Sequence, residues 1–191
     1  LGEHEARLDF VIHNACQTVR RPPGFYRHLM GRELGAPEEL SDLARSFLVE
    51  YEALRAETAL RLGAGEAPAG GNTALGLREA PTLSQLPLAV EDLAGGQHLF
   101  PADQLDQDLQ QVDRRAVNSW RLALDQVGTV ELLEVQLVNA IAPFVLNARL
   151  KALMLRQRTF DKHIVNVSAM EGQFYRRYKT DKHPHTNMAK A

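Results

Sequence analysis

Polar side chains that could bind a small ligand stand at the ends of two short apolar segments. Asn14 follows the apolar residues 8–12, and Ser168 ends the apolar segment 163–168. In an open sheet of parallel strands, ligands bind in the crevice outside the carboxyl ends of the strands. If both segments are parallel strands, Asn14 and Ser168 therefore lie on the same rim, where an amide and a hydroxyl can hydrogen-bond a ligand.

The segments around these residues predict the elements that position them. Residues 8–12 and 163–168 are short and rich in apolar and β-branched side chains, which is typical of buried parallel strands. Between them, a long helix is predicted with Thr129 as its N-cap and a kink at Pro143. A further helix is predicted to begin at about Thr186. Strand, long helix, strand and helix in this order predict a partial doubly wound, Rossmann-like α/β fold.

The middle of the chain lacks this order. A helix is predicted over residues 37–62, starting at Pro37, because apolar residues recur there every three or four positions. We interpret its apolar stripe as a packing surface, with a partner-binding surface as the alternative. Residues 63–76 are rich in glycine but contain no phosphate-binding motif, so they predict a flexible loop. Residues 77–115 contain repeated prolines and predict short irregular elements.

The composition limits the classes of protein to which the chain can belong. Hydrophobic residues make up 45% and charged residues 24%, which is ordinary for a soluble globular protein. The formal net charge is −2, so no basic surface for nucleic acid or for an anionic membrane is predicted. The single cysteine excludes an internal disulfide and favours a reducing compartment. Without a signal pattern or an uninterrupted apolar run of membrane-spanning length, we expect a cytoplasmic protein.

Short motifs occur in a fixed order along the predicted elements. They are His13-Asn14-Ala15-Cys16 after the first strand, Leu137-Val138-Asn139 in the long helix, Asn166-Val167-Ser168 at the end of the second strand, and Lys190-Ala191 in the last helix. Their order resembles the short-chain dehydrogenase/reductase family, in which Asn-Asn-Ala-Gly at a strand end, a helix asparagine, a serine and Tyr-x-x-x-Lys follow one another. The resemblance predicts an atypical member of that family.

The resemblance implies transfer of hydride between NAD or NADP and a small carbonyl or alcohol substrate, with the nicotinamide performing the hydride step. Ser168 would hydrogen-bond the substrate oxygen. Lys190 would hold the nicotinamide ribose and lower the pKa of a catalytic phenol. Asn139 would support a proton-relay water in the kinked helix, and Asn14 and Ala15 would lie along the cofactor. A homo-oligomer would also fit, because subunits in this family often pair.

The catalytic tyrosine of the family is altered in this sequence. Thr186 stands four residues before Lys190, and an aliphatic hydroxyl is a far weaker acid than a phenol, whose pKa is about 10. Tyr175 and Tyr178 begin two other Tyr-x-x-x-Lys sequences after Ser168. The residue that handles the proton is therefore predicted to be Tyr178, if its loop folds back to Ser168, or Thr186, or neither.

Further departures concern single residues near the predicted site. Cys16 replaces the last glycine of the first motif, and we expect a small buried residue rather than a reactive thiol. His183 and His185 have no third ligand at a defined spacing, so no metal site is predicted. We expect this pair to belong to a loop that shapes the site, or to supply an acid–base group.

The interval between Asn14 and Asn139 is much longer than is usual in the family, which predicts an insertion. We expect residues 1–16 to form the first strand and motif of the core, 17–115 the insertion, and 116–191 the active-site half of the core, truncated at its end. The Gly-rich phosphate turn of the family would precede this chain. The chain is therefore expected to be an internal piece that does not bind a dinucleotide tightly alone.

Other functions remain open at this point. A family-like protein could bind a ligand or regulate a partner without turnover, because Thr186 replaces the tyrosine and the insertion could be an interaction surface. The predicted helix over residues 37–62 could instead capture a partner, with the α/β part as its scaffold. A fold by itself does not decide among these functions.

Overall fold

The computed structural model describes residues 6–63, 80–93, 96–175 and 177–191. These residues form a mixed α/β fold with a two-stranded parallel sheet. The strands are β1 (Phe10–His13) and β2 (His163–Asn166), and the helices are α1 (Pro23–Tyr26), α2 (Met30–Glu33), α3 (Asp42–Gly63), α4 (Thr129–Gln136), α5 (Ala142–Met154) and α6 (Pro184–Lys190). A helical turn also occurs at residues 80–83.

The chain divides into two compact units. The first unit comprises Leu1–Arg20 and Arg115–Ala191 and contains both strands with α4, α5 and α6. The second unit comprises Arg21–Arg114 and contains α1, α2 and α3. Its bounds are close to those predicted for the insertion, 17–115, whose assignment as an insertion stays a prediction. The glycine-rich loop predicted for 63–76 lies, beyond Gly63, outside the described residues.

The two strands pair in parallel, in a register that joins Phe10 to His163 and His13 to Asn166. β1 alternates between buried and exposed residues, whereas every residue of β2 is exposed. The prediction of two buried strands is therefore wrong for β2 and for one face of β1. A parallel strand is fully buried only where helices cover both faces of its sheet and further strands flank it. Within the described residues, packed neighbours cover the face that carries His13.

The amino ends of the strands are joined by charged side chains. Lys162 Nζ lies 2.5 Å from a carboxylate oxygen of Asp9 and also donates to the backbone carbonyl of Leu8 at 3.0 Å. Arg7 forms a second ion pair with Asp9. The hydrogen bond from Lys162, supported by that from Arg7, holds the pKa of Asp9 below its usual value against the opposing effect of desolvation.

A π-helical turn interrupts the long helix at the position where sequence predicts a kink. The turn spans Leu137–Ile141 and joins α4 to α5, so that the backbone N–H of Ala142 bonds the carbonyl of Leu137. Pro143 has no N–H and would crowd the carbonyl of Asn139, four residues earlier, in a regular helix. The wider turn accommodates this proline without ending the helix. Thr129, predicted as the N-cap, is the first helical residue instead.

The combined helix Thr129–Met154 is long and apolar enough to cross a membrane, judged by length and composition only. Its most apolar 18 residues have a mean hydropathy of 1.5, and 6% of that window is buried. The sequence has no uninterrupted apolar run of this length, because polar residues such as Asn139 and Asn147 and charged residues such as Arg149 interrupt the apolar residues. Core helices of soluble proteins pass the same test, so this helix assigns no membrane location.

The first unit has its most buried side chains where α4 meets α6. Val135 on α4 and Thr186 on α6 are both fully buried, and His185 next to Thr186 is 3% exposed. The helix α6 begins at Pro184 rather than at Thr186. Proline suits the first helical position, because the N–H group that it lacks would have no helical partner there. Its N-cap, His183, adopts a left-handed backbone conformation with φ of 42°.

The second unit is centred on aromatic packing. The rings of Phe25 and Phe100 meet edge to face, with 5.9 Å between their centroids. The guanidinium of Arg21 lies 4.3 Å from the centroid of the Phe25 ring and also pairs with Asp113 at 2.8 Å. The ion pair of Arg21 with Asp113 joins the two ends of this unit's sequence. The stacking of Arg21 on Phe25 attaches these ends to the short helix α1.

The longest helix of the second unit begins later than predicted. Residues Pro37–Glu39 form a separate 3-10 turn, and α3 starts at Asp42 after Ser41, whose hydroxyl accepts a hydrogen bond from Ala44. Serine is a favoured N-cap, which explains the later start. The prediction that the apolar stripe of this helix is a packing surface is wrong at Phe47, which is 78% exposed.

Candidate functional site

A cavity of about 390 Å³ lies at the carboxyl ends of β1 and β2. It is bordered by the residues that follow each strand, by the π-helical turn with α5, and by the end of α6. Predicted site residues that line this cavity are Ala15, Asn139, Ser168 and Lys190. The fold of the first unit therefore brings together four residues that lie far apart in the sequence.

Lys190 reaches the cavity from the last turn of α6. Its Nζ atom lies 2.8 Å from the Sγ atom of Cys16, to which it donates a hydrogen bond. Cys16 is exposed, so the prediction of a small buried residue is wrong. The chain leaves the sheet after His13, and Cys16 then borders the cavity instead of packing against the sheet. An amine and a thiol therefore share one edge of the cavity.

Ser168 is connected to the end of α6 by its hydroxyl, which donates to the backbone carbonyl of Lys190 at 3.1 Å. The 3-10 turn Met170–Gly172 runs between them and approaches this carbonyl closely. A Cβ atom added to Gly172 would lie 2.6 Å from the Lys190 oxygen and 3.0 Å from the Ser168 oxygen. Glycine is therefore needed at position 172 for this close approach. No local sequence motif marks it, because the contact comes from a distant helix.

Asn139 uses its side chain to hold the segment that follows β1. Its Oδ1 atom accepts from the backbone N–H of Gln17, and its Nδ2 atom donates to the Gln17 carbonyl, both at 2.8 Å. The pair satisfies both backbone polar groups of one residue, as a neighbouring β-strand would. This clamp was not predicted from the sequence. The role predicted for Asn139, support of a relay water, stays a prediction.

Glu134, one turn before Asn139 on the same helix, strengthens this attachment. Its Oε2 atom accepts from the side-chain amide of Gln17 at 3.1 Å and from Arg20 Nε at 2.8 Å. The backbone N–H of Arg20 in turn donates to Ser119 Oγ at 2.8 Å. The segment that carries Ala15 and Cys16 is thus fixed to the long helix, although its sequence is irregular.

His13 is a cavity residue that the sequence analysis did not assign to the site. It ends β1, is buried, and places Nε2 2.8 Å from Oδ1 of Asn147 on α5. Asn147 also lines the cavity. Two signals in the sequence point to this pair. His13 stands where the resembling family has its first motif asparagine, and Asn147 follows Asn139 by about two helical turns.

Three predicted site residues do not line the cavity. Tyr178 is 75% exposed and lies close to Arg177, whose guanidinium is 5.5 Å from its ring centroid. Thr186 is fully buried, and its hydroxyl oxygen has no hydrogen-bond partner in the described part of the chain. Asn14 is exposed and is not among the residues that line the cavity. The cavity therefore has no tyrosine or threonine hydroxyl among the side chains that line it.

The two histidines of the last segment have separate environments. His185 is buried, and its Nε2 atom lies 3.0 Å from Oε1 of Glu131 on α4. His183 packs edge to face on Trp120, with 4.6 Å between ring centroids. The segment of His183 and His185, predicted to be a loop that shapes the site, is therefore the N-cap and the first turn of α6. Among the residues described, no group of three or more His, Cys, Asp or Glu side chains could hold a metal ion.

Comparison with known proteins matches part of this chain to one viral protein. No protein-family model matches it, and no solved structure matches it. Over 81 residues the chain is 35% identical to an uncharacterized protein of Acanthamoeba polyphaga mimivirus. That region covers 42% of this chain and 16% of the viral protein, so the chain spans about a sixth of that relative's length. These comparisons assign neither a family nor an activity.

Proposed function

We propose that this chain carries the active-site part of an NAD- or NADP-dependent oxidoreductase of the short-chain dehydrogenase/reductase type. The reaction is hydride transfer between the nicotinamide and a small carbonyl or alcohol. The observation that carries the proposal is the shared cavity of Ala15, Asn139, Ser168 and Lys190 at the carboxyl ends of two parallel strands. Ligands bind at this edge in doubly wound α/β proteins, and a doubly wound sheet in the whole protein is part of the proposal.

The residues of the cavity fit the nicotinamide end of such a cofactor. A volume of about 390 Å³ lies within the range of small-molecule pockets, roughly 300–1,000 Å³. Lys190 supplies an ammonium for ribose hydroxyls, and Ser168 supplies a hydroxyl for a carbonyl oxygen. The described residues include no Gly-rich turn for the diphosphate, so this chain is proposed to bind the nicotinamide end only. When bound, the nicotinamide supplies or accepts the hydride.

Ser168 and Lys190 must give up or supplement their present hydrogen bonds to bind a ligand. Ser168 now donates to the Lys190 carbonyl, and rotation of its hydroxyl would direct the proton to a substrate oxygen instead. Lys190 Nζ has three protons and uses one on Cys16, so it can bond ribose oxygens from its present position. Asn139 holds the Gln17 segment and thereby the wall of the cavity next to Cys16.

A ligand-binding or regulatory protein without turnover is the second candidate. The observation that favours it is the position of the predicted proton donors. Tyr178 is largely exposed outside the cavity, and Thr186 is buried away from it. A cavity without a phenol could still hold a nicotinamide or a small polar ligand. This candidate predicts dinucleotide binding with no reduction of any carbonyl.

Titration of the full-length protein with NADH and NADPH tests the proposal. We expect one of them to bind, and Lys190→Met to weaken its binding at least tenfold, or about 1.4 kcal/mol. Lys182→Met is the matched control, because Lys182 pairs at 3.6 Å with its neighbour Asp181 and does not line the cavity. Absence of binding by both dinucleotides would contradict the oxidoreductase. Binding without turnover of small aldehydes and ketones would favour the second candidate.

A further inference from the structure

The cavity needs a group that can give and take a proton if its reaction is hydride transfer to a carbonyl. Its polar side chains are those of His13, Cys16, Ser168 and Lys190, together with three asparagines. Amides and aliphatic hydroxyls do not ionise near neutral pH, and the amine of Lys190 and the thiol of Cys16 bond each other. Histidine is the side chain best suited to this exchange.

We propose that His13 is the proton-transferring residue of this cavity and that Asn147 is the positioning residue that fixes its tautomer. This inference rests on the proposed function. It assigns the proton to an imidazole at the end of β1, rather than to Tyr178 or Thr186. The imidazole is buried at the strand end that faces the cavity, where its orientation is restricted by its neighbours.

The contact with Asn147 decides which ring nitrogen can react. The 2.8 Å contact joins His13 Nε2 to the amide oxygen of Asn147, and an amide oxygen only accepts. Nε2 therefore carries a proton, and in the neutral ring Nδ1 carries the lone pair. His13 Nδ1 has no partner in the described part of the chain, and it is not among the enclosed polar atoms, unlike Nδ1 of His183 and His185. It is open to receive a proton or to give one.

The strand register places this imidazole beside the other proposed substrate contact. His13 pairs with Asn166 across the sheet, and its carbonyl accepts the backbone N–H of Val167 at 3.0 Å. Neighbouring strands lie about 4.8 Å apart, and Ser168 comes two residues after Asn166, or roughly 7 Å further along the chain. A carbonyl or hydroxyl group between the two side chains could therefore be shared by Ser168 Oγ and His13 Nδ1.

The step balances with the groups named. In reduction, a bound reduced nicotinamide would supply the hydride to the carbonyl carbon and would thereby be oxidised. The electron pair of the breaking C=O π bond moves to oxygen, and oxygen takes the proton from Nδ1 of protonated His13. The new substrate C–H and O–H bonds would thus be balanced by loss of the donor C–H bond of the nicotinamide, the C=O π bond and the Nδ1–H bond, and the neutral ring keeps its Nε2–H on Asn147. Alcohol oxidation runs in reverse, and solvent returns the histidine to its starting state.

Replacement of His13 by asparagine in the full-length protein tests this role. Asparagine keeps a donor near Asn147 but has no group that exchanges protons near neutrality. We expect His13→Asn to lower kcat for small aldehydes and ketones by about 100-fold or more, with the dinucleotide Kd unchanged. His163→Asn is the matched control, since His163 stacks on Phe10 at the opposite end of the same sheet and should leave kcat unaltered.

Several outcomes would overturn the inference without affecting the proposed function. If the dinucleotide binds and His13→Asn retains kcat within about threefold of the parent, His13 does not transfer the proton. Loss of turnover in Tyr178→Phe, with turnover retained in His13→Asn, would give the role to Tyr178. His13→Gln serves as a second variant if the asparagine variant does not fold. Failure of the parent protein to bind NADH or NADPH would instead contradict the proposed function.

A measurement on the unaltered protein tests the geometry independently of turnover. Nitrogen-15 NMR of histidine-labelled protein identifies the neutral tautomer of each ring. We expect the His13 signals, assigned by their loss in His13→Asn, to show Nε2–H with an unprotonated Nδ1. Asn147→Ala should abolish this preference. A neutral ring protonated at Nδ1 would overturn the proposal, whether or not the protein turns over a substrate.

Discussion

The two ends of the parallel sheet are held together in different ways. At the amino end, the carboxylate of Asp9 forms ion pairs with both Lys162 and Arg7. At the carboxyl end, the ammonium of Lys190 meets a thiol, and His13 meets an amide. None of the side chains that line the cavity is a carboxylate. At the amino end, the ion pairs satisfy the charged side chains without a ligand. At the carboxyl end, the Lys190 amine bonds a weak acceptor, the Cys16 thiol, and can exchange that thiol for ligand oxygens.

The largest expected effect concerns the two hydrogen bonds by which Asn139 holds Gln17 near the carboxyl end of the sheet. Asn139→Ala removes both hydrogen bonds to Gln17 and leaves a backbone N–H and carbonyl half-buried without partners. We expect the free energy of unfolding to fall by about 2–4 kcal/mol, measured by urea denaturation.

Asn166→Ala is the matched control for this variant. Asn166 borders the same cavity but is exposed, and its side chain makes no hydrogen bond within the described residues. Its replacement should cost less than about 0.5 kcal/mol. Equal losses in the two alanine variants would show that the carboxyl end is not held by the Asn139 clamp.

A smaller effect is expected where the 3-10 turn Met170–Gly172 approaches the end of α6. In Gly172→Ala, the new Cβ would lie 2.6 Å from the backbone oxygen of Lys190, so the turn or the helix end must shift. We expect a loss of about 1–3 kcal/mol in stability, as for other overpacked sites. Because Ser168 bonds the same oxygen, dinucleotide binding by the full-length protein should also weaken.

Gly31→Ala provides the comparison for this change. A Cβ at Gly31 meets nothing within 4 Å, and the residue lies in the helix α2, where alanine is favoured over glycine. Its Tm should therefore stay the same or rise slightly. A Gly172→Ala protein with an unchanged Tm and unchanged Kd would contradict the close approach of the turn to α6.

The sequence predicted the elements of the first unit better than it predicted their surroundings. The two strands and the irregular helix at Pro143 were predicted from local signals, namely β-branched runs and a missing N–H group, and the parallel pairing was predicted from the order strand, helix, strand. Burial depends on neighbours that a local pattern does not specify. This explains why β2, predicted as a buried strand, is exposed throughout.

The candidate site was predictable in part for the same reason. Ser168 was predicted at this edge from its position at the end of a strand, and Lys190 from the resemblance to a family, and both line the cavity, whereas Asn14, predicted on the same rim, does not. The sequence carries signals for the positions of His13 and Asn147, but the hydrogen bonds of His13 to Asn147 and of Lys190 to Cys16 join distant segments, and no local pattern specifies such pairings. The predicted folding back of Tyr178 depended on a long polar loop, and the conformation of such a loop is set by tertiary contacts.

The smallest effect is expected at the amino end, where Lys162→Met removes the main partner of Asp9. The folded-state pKa of Asp9 lies below its usual value chiefly because of the hydrogen bond from Lys162. A lowered carboxyl pKa stabilises the fold above the unfolded pKa of about 3.9, and this stabilisation is lost as pH falls through the folded value. Lys162→Met should therefore be less stable than the parent at neutral pH.

The pH dependence separates this ion pair from a packing effect. The difference in unfolding free energy between Lys162→Met and the parent should shrink as Asp9 becomes protonated in acid, whereas a loss of packing would persist. Lys151→Met, on the exposed side of α5, should differ little from the parent at either pH. A Lys162→Met deficit that is the same at neutral and acidic pH would mean that side-chain packing, and not charge, joins the strands at this end.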